Sequence, residues 1–105
     1  MIPRKPGCYI LNHVGSGMFY IGSTSDLYRR EISLMSTLNL RTNLNTRLQE
    51  LYLDDPNVIF EYLVTPTRED AFILEQQELD KWLGHPKCLN SENDLRWTWH
   101  ASSSD

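Results

Sequence analysis

The stretches Gly7-Cys8-Tyr9-Ile10-Leu11 and Met18-Phe19-Tyr20-Ile21-Gly22 decide how this chain is read. Both are rich in the aromatic and β-branched side chains that suit a pleated surface. Between them runs Asn12-His13-Val14-Gly15-Ser16-Gly17, whose glycines can supply the positive φ angles of a hairpin turn. The expected structure is an antiparallel hairpin. Side chains alternate across a strand and cross-strand neighbours sit close, so Tyr9 and Tyr20 are expected on one face.

Working outward, Pro3 and Pro6 favour an extended entry to the first strand. Ser23-Thr24-Ser25-Asp26 offers several N-caps for a helix from about Leu27 to Leu38, with a stripe of Leu27, Arg30, Leu34 and Leu38. Thr42 or Asn43 can cap a second helix carrying Leu44, Leu48, Leu51 and Tyr52, which ends at Asp54-Asp55-Pro56. Val58-Ile59-Phe60-Glu61-Tyr62-Leu63-Val64 reads as a third strand, apolar enough to be central or covered on both faces. Thr67 and Asp70 then stand at capping-box spacing before a helix from Arg68 to about Leu83, whose stripe is Phe72, Leu79 and Leu83. Glu75 lies on that stripe, and an inward carboxylate is costly unless paired. Gly84 and Pro86 terminate the helix, and Lys87-Cys88-Leu89-Asn90 is expected to return towards the sheet.

The 105 residues carry 10 Lys or Arg and 14 Asp or Glu, a formal net charge of −4. That balance argues against a protein that coats nucleic acid by charge alone. The charge is polarised: residues 1–47 hold six basic against two acidic side chains, and residues 48–105 hold four against twelve. A basic face on the first half is therefore open to a phosphate backbone. The length suits one domain, here 1–95, followed by a partly disordered tail at 96–105. No apolar run spans a bilayer and no leader precedes the first strand, so a cytoplasmic location without membrane contact is expected. Cys8 and Cys88 are read as reduced thiols, since they share no metal-ligand spacing with the histidines.

The order of these residues resembles the GIY-YIG nuclease superfamily. Gly7-Cys8-Tyr9 matches the first tripeptide and Tyr20-Ile21-Gly22 the second. Arg30 follows ten positions after Tyr20, Glu75 falls on the later helix, and Asn90 comes after it. The resemblance covers about residues 6–90, and Gly22-Ser23-Thr24 is similar to the homing-endonuclease and phage branch. It implies an α+β fold, a three-stranded antiparallel sheet flanked by helices, and a metal-dependent endonuclease acting on DNA. It further implies that Tyr9 is the general base, assisted by Tyr20. Arg30 would bind the scissile phosphate, Glu75 would hold one Mg²⁺ or Mn²⁺, and Asn90 would orient the site. A phenol with its ordinary pKa of about 10 would then need cationic neighbours and the metal to lower it.

One position departs from the family. Leu34 stands four residues after Arg30, where a histidine or tyrosine is usual, and leucine can neither carry a proton nor form a hydrogen bond. His13 and His100 are the nearest substitutes by sequence. The alternative reading is an impaired GIY-YIG-like domain that binds nucleic acid or a protein partner. Arg29, Arg41, Arg47 and Lys5 are candidates for a DNA groove, while Trp97 and Trp99 are read first as core-packing residues and second as platforms for stacking on bases. Cutting both strands at one site would call for a homodimer or two successive encounters, since one active site cuts one strand.

Overall fold

The computed structural model describes residues 1–96; Trp97, Trp99, His100 and the rest of the tail lie outside the described residues. Strand β1 (Gly7–His13) and β2 (Phe19–Thr24) form the hairpin, followed by helices α1 (Leu27–Asn39) and α2 (Thr46–Asp54). Strand β3 (Val58–Val64) and helix α3 (Arg68–Trp82) complete the α+β fold, with a 3₁₀ turn at Glu92–Asp94. The sheet order is β2-β1-β3 and both pairings are antiparallel. In the hairpin turn Gly17 alone takes a positive φ, 73°, and its N–H donates to the His13 carbonyl at 2.9 Å. The turn therefore needs one glycine in the left-handed region rather than two.

The alternation of β1 sends successive side chains to opposite layers. Leu11 packs with Leu38, Leu48 and Leu89 beneath α1 and α2, while Cys8 and Ile21 pack with Leu79 of α3. Tyr20 and Phe60 join the first layer, and Ile10, Phe19, Leu74 and Trp82 the second. Burial lifts the Cys8 thiol to about 12, so it is a packing group and not a nucleophile. Cys88 is also free and raised by burial.

Two expectations about the elements need correction. The cap of α2 is Asn45, whose side chain accepts from the Leu48 N–H at 3.0 Å, so Leu44 falls outside the helix and is fully exposed. The loop before it is held instead by buried Gln49, which donates to the Leu38 carbonyl and accepts from the Asn43 N–H, both at 3.0 Å. Strand β3 is an edge strand and not a covered one: Ile59 is 52% and Leu63 61% exposed. Its apolar run fills one face, through Val58 and Phe60, and leaves the other to solvent.

The remaining boundaries follow local chemistry. Asp26 caps α1 by accepting from the Arg29 N–H at 3.1 Å. Thr67 caps α3, and Gly84 leaves it at φ 89°. The chain then returns along the outer edge of β2, where the Phe19 N–H donates to the Lys87 carbonyl and the Leu89 N–H to the Phe19 carbonyl. No helix among the described residues is long and apolar enough to cross a membrane.

Candidate active site

A cleft of about 680 Å³ opens at the free part of the β2 edge and is lined by Tyr9, Tyr20, Gly22, Ser23, Arg30 and Glu75. These residues come from β1, β2, α1 and α3. Tyr9 is paired with Gly22 and Tyr20 with Leu11, so the phenols stand diagonally on one face. The Tyr9 ring is 2% exposed and stacks on Phe60, with ring centroids 5.1 Å apart. Its hydroxyl accepts from Arg30 Nη1 at 3.4 Å.

Gly22 explains itself by what it omits. A Cβ built there would sit inside the Tyr9 phenol, so the glycine makes room for the ring across the strand pair. Gly22→Ala is expected to displace that ring and to destabilise the domain by about 1–3 kcal/mol, the usual cost of overpacking a filled site. A denaturant titration measures the loss, and a midpoint equal to that of the unaltered protein would contradict it.

Glu75 reaches the cleft from the α3 side of the sheet and is 5% exposed. Ser23 Oγ donates to its Oε1 at 2.6 Å, and Arg96 Nη2 lies 3.5 Å from the same oxygen. Burial raises the Glu75 carboxyl above its ordinary range, with the Ser23 hydrogen bond and the Arg96 charge working against the rise. Both tyrosines are raised, first by burial; Arg30 only partly offsets this at Tyr9. The cationic neighbours expected to lower Tyr9 thus lose to desolvation in the protein alone.

Asn90 does not line the cleft. It grips the edge of β2: Oδ1 accepts from the Ile21 N–H and Nδ2 donates to the Ile21 carbonyl, both at 2.8 Å. It also donates to Asp94 at 3.2 Å. His13 is at the far end of β1, its ring nitrogens occupied by Ser16 Oγ at 2.7 Å and the Asp55 carbonyl at 2.8 Å. That removes it as a stand-in for the missing histidine. Leu34 borders a smaller pocket of about 230 Å³ that shares Tyr9, Tyr20 and Arg30 with the main cleft. Ser33, Thr37, Thr42 and Asn43 also border it, and among the described residues no histidine or carboxylate does.

The proposed DNA contacts are not brought to the cleft. Lys5, Arg29, Arg41 and Arg47 are exposed and absent from its lining. Arg47 lies 3.7 Å from Glu50, and Arg41 at φ 62° ends α1 in the left-handed region. Among the described residues, the cations lining the cleft besides Arg30 are Arg68 and Arg96; Ser23 and Asp94 line it too, and none of the four is among the residues expected at the site. Arginine on an exposed helix start or beyond a 3₁₀ turn has no periodicity to mark it. Ser23 carried a visible signal: it follows the second tripeptide and alternates to the Glu75 face.

The residues present fit a divalent metal ion of the hard, oxygen-preferring kind. Glu75 offers a buried carboxylate to the cleft, with Asp94 also on its wall. Among the described residues no group of three or more His, Cys, Asp or Glu could hold a metal ion. A cation here would keep water or substrate oxygens in most positions, as magnesium habitually does.

The tyrosine hairpin, Arg30 and Glu75 thus converge on one cleft. The chain matches the family model described as the GIY-YIG catalytic domain over residues 5–84, and it belongs to that family, a family of nuclease domains. Among curated proteins it is 32% identical over 75 residues to the UvrABC system protein C of Lactiplantibacillus plantarum, covering 71% of this chain and 11% of that protein. It is 33% identical over 75 residues to the protein of that name from Ureaplasma parvum, covering 71% and 12%. For Methanococcus maripaludis the figures are 27% over 81 residues, 77% and 14%. The chain thus spans little more than a tenth of the length of these relatives. The homing-endonuclease and phage branch read from Gly22-Ser23-Thr24 stays an expectation.

Proposed function

We propose that the chain is a metal-dependent endonuclease that hydrolyses DNA phosphodiester bonds. The observation that carries this is the convergence of Tyr9, Tyr20, Arg30 and Glu75, from four separate elements, on one cleft. Relatives named UvrABC system protein C support it. Arg30 holds the scissile phosphate with its planar fork, close enough to Tyr9 to align the attacking water beside that hydroxyl. Tyr9 takes the water's proton, and Tyr20 assists from the diagonal position. Glu75 would hold one Mg²⁺ or Mn²⁺, which when bound would supply Lewis acidity to the phosphate. Asn90 keeps β2, and so Tyr20 and Gly22, in register with β1 through its two bonds to Ile21.

Cleavage of supercoiled plasmid and of a labelled single strand, in Mg²⁺, Mn²⁺ or chelator, tests the reading. Cutting is expected with either metal and abolished by the chelator; equal cutting in chelator would sink the metal role. The raised Tyr9 pKa gives a second expectation. Only the phenolate can accept the proton, and burial holds the phenol protonated, so the single-turnover rate should rise with pH between about pH 7 and about pH 9. A flat profile over that range would remove Tyr9 as the base.

A second reading is favoured by Leu34. Among the described residues no histidine or carboxylate borders its pocket, and on this reading the domain binds nucleic acid or a protein partner without cutting. Salt-dependent DNA binding with no product in either metal would select that reading.

A further inference from the structure

Arg96 stands on one oxygen of the carboxylate proposed to hold the metal ion. Its Nη2 lies 3.5 Å from Glu75 Oε1, and its guanidinium lies over the Phe72 ring, 5.1 Å from the centroid. The anchor of this residue is its backbone: the Arg96 N–H donates to Gln76 Oε1 at 2.6 Å. Gln76 is fully buried and also donates to the Asp94 carbonyl at 3.1 Å, so the pivot is rigid. The side chain beyond it is 60% exposed. A long, half-solvated ion pair on a fixed pivot is weak and can swing open.

We propose that Arg96 is an internal stand-in for the divalent cation: in the metal-free protein it neutralises Glu75, and when Glu75 takes the cation it swings to a phosphate of the bound nucleic acid. A divalent cation on either oxygen of this carboxylate brings its charge close to the guanidinium, and the repulsion favours release of the long, half-solvated pair. The same cleft is lined by Arg30 and Arg68, and a freed guanidinium there meets the phosphate backbone with a fork suited to it. This rests on the metal role of Glu75 proposed above.

The experiment is Mn²⁺ titration of the full chain, unaltered and as Arg96→Gln and Glu75→Gln, together with the affinity of a short labelled duplex in Mn²⁺ and in chelator, read before cleavage. Arg96→Gln is expected to bind Mn²⁺ about three- to tenfold more tightly, because it has no guanidinium to displace. The same variant should bind the duplex about three- to tenfold more weakly in Mn²⁺, with a smaller change in chelator. Unchanged or weaker Mn²⁺ binding by Arg96→Gln, with binding abolished by Glu75→Gln, would overturn the stand-in and leave the metal site standing. Mn²⁺ binding that Glu75→Gln leaves intact would overturn the metal site itself, and the stand-in with it. An unaltered duplex affinity in Mn²⁺ would overturn the swing to phosphate.

Discussion

Exchanging Glu75 for glutamine is expected to lower metal-dependent cleavage by about 10³-fold, the loss of several kcal/mol of transition-state stabilisation. The same change should make the folded domain more stable at neutral pH. The amide keeps the shape of the side chain and can still accept from Ser23 Oγ, so packing is preserved while the charge is lost. The folded-state pKa of Glu75 is raised, chiefly by burial, so the native protein binds that proton more tightly than the unfolded chain does. Stability is therefore greatest below the unfolded value and falls as pH rises through the folded one. Glutamine has no such fall. Plasmid cleavage and denaturant midpoints, the latter at about pH 4 and about pH 7.5, check both halves, and the gap between the two proteins should widen with pH. A variant that cuts at the unaltered rate would take Glu75 out of the chemistry. One that is less stable at both pH values would mean that the charged Ser23 bond outweighs burial.

Leu34→His is expected to raise the cleavage rate by about 10²-fold, the usual contribution of one positioned acid–base group. Leu34 is half-buried on α1, one turn beyond Arg30, and borders a pocket walled by Tyr9, Tyr20 and Arg30. An imidazole placed there adds a group that titrates near neutrality beside two phenols that burial keeps protonated. The rate profile should acquire a new limb at about pH 6.5. Leu34→Phe controls for size, and an equal gain from that variant would assign the effect to packing. No gain from histidine would mean that Tyr9 is not limited by a missing proton carrier.

The hairpin, α1, β3 and α3 were legible because each is bounded by residues with strong local preferences: Gly17, Asp26, Pro56, Thr67 and Gly84. The start of α2 was not. Thr42, Asn43 and Asn45 are all competent caps, and the choice of Asn45 is made by tertiary contact, its side chain also donating to the Leu89 carbonyl at 3.0 Å. The edge position of β3 was hidden for a different reason. A continuous apolar run describes a strand buried on both faces and one that simply leaves Ile59 and Leu63 in solvent equally well.

At the site, Tyr9, Tyr20, Arg30 and Glu75 were legible by order along the chain, and the cleft assembles them. The route by which Glu75 gets there was not legible. It depends on Ser23 alternating to the α3 face while Tyr20 and Gly22 look the other way, so the cleft wraps around an open strand edge. Arg68 and Arg96 escaped notice because surface arginines are told apart by position in space, which spacing along the chain does not encode.

The Tyr9–Phe60 stack has a consequence for when the proposed site can form. Tyr9 faces Gly22 across a short turn, but its ring leans on Phe60, and β3 joins β1 only after both intervening helices have been laid down. Local hairpins close quickly, whereas distant strand pairings close late. A nascent or partly unravelled chain therefore carries a loose phenol in an unwalled hairpin, and the proposed site is complete only once β3 and then α3, with Glu75, are in place.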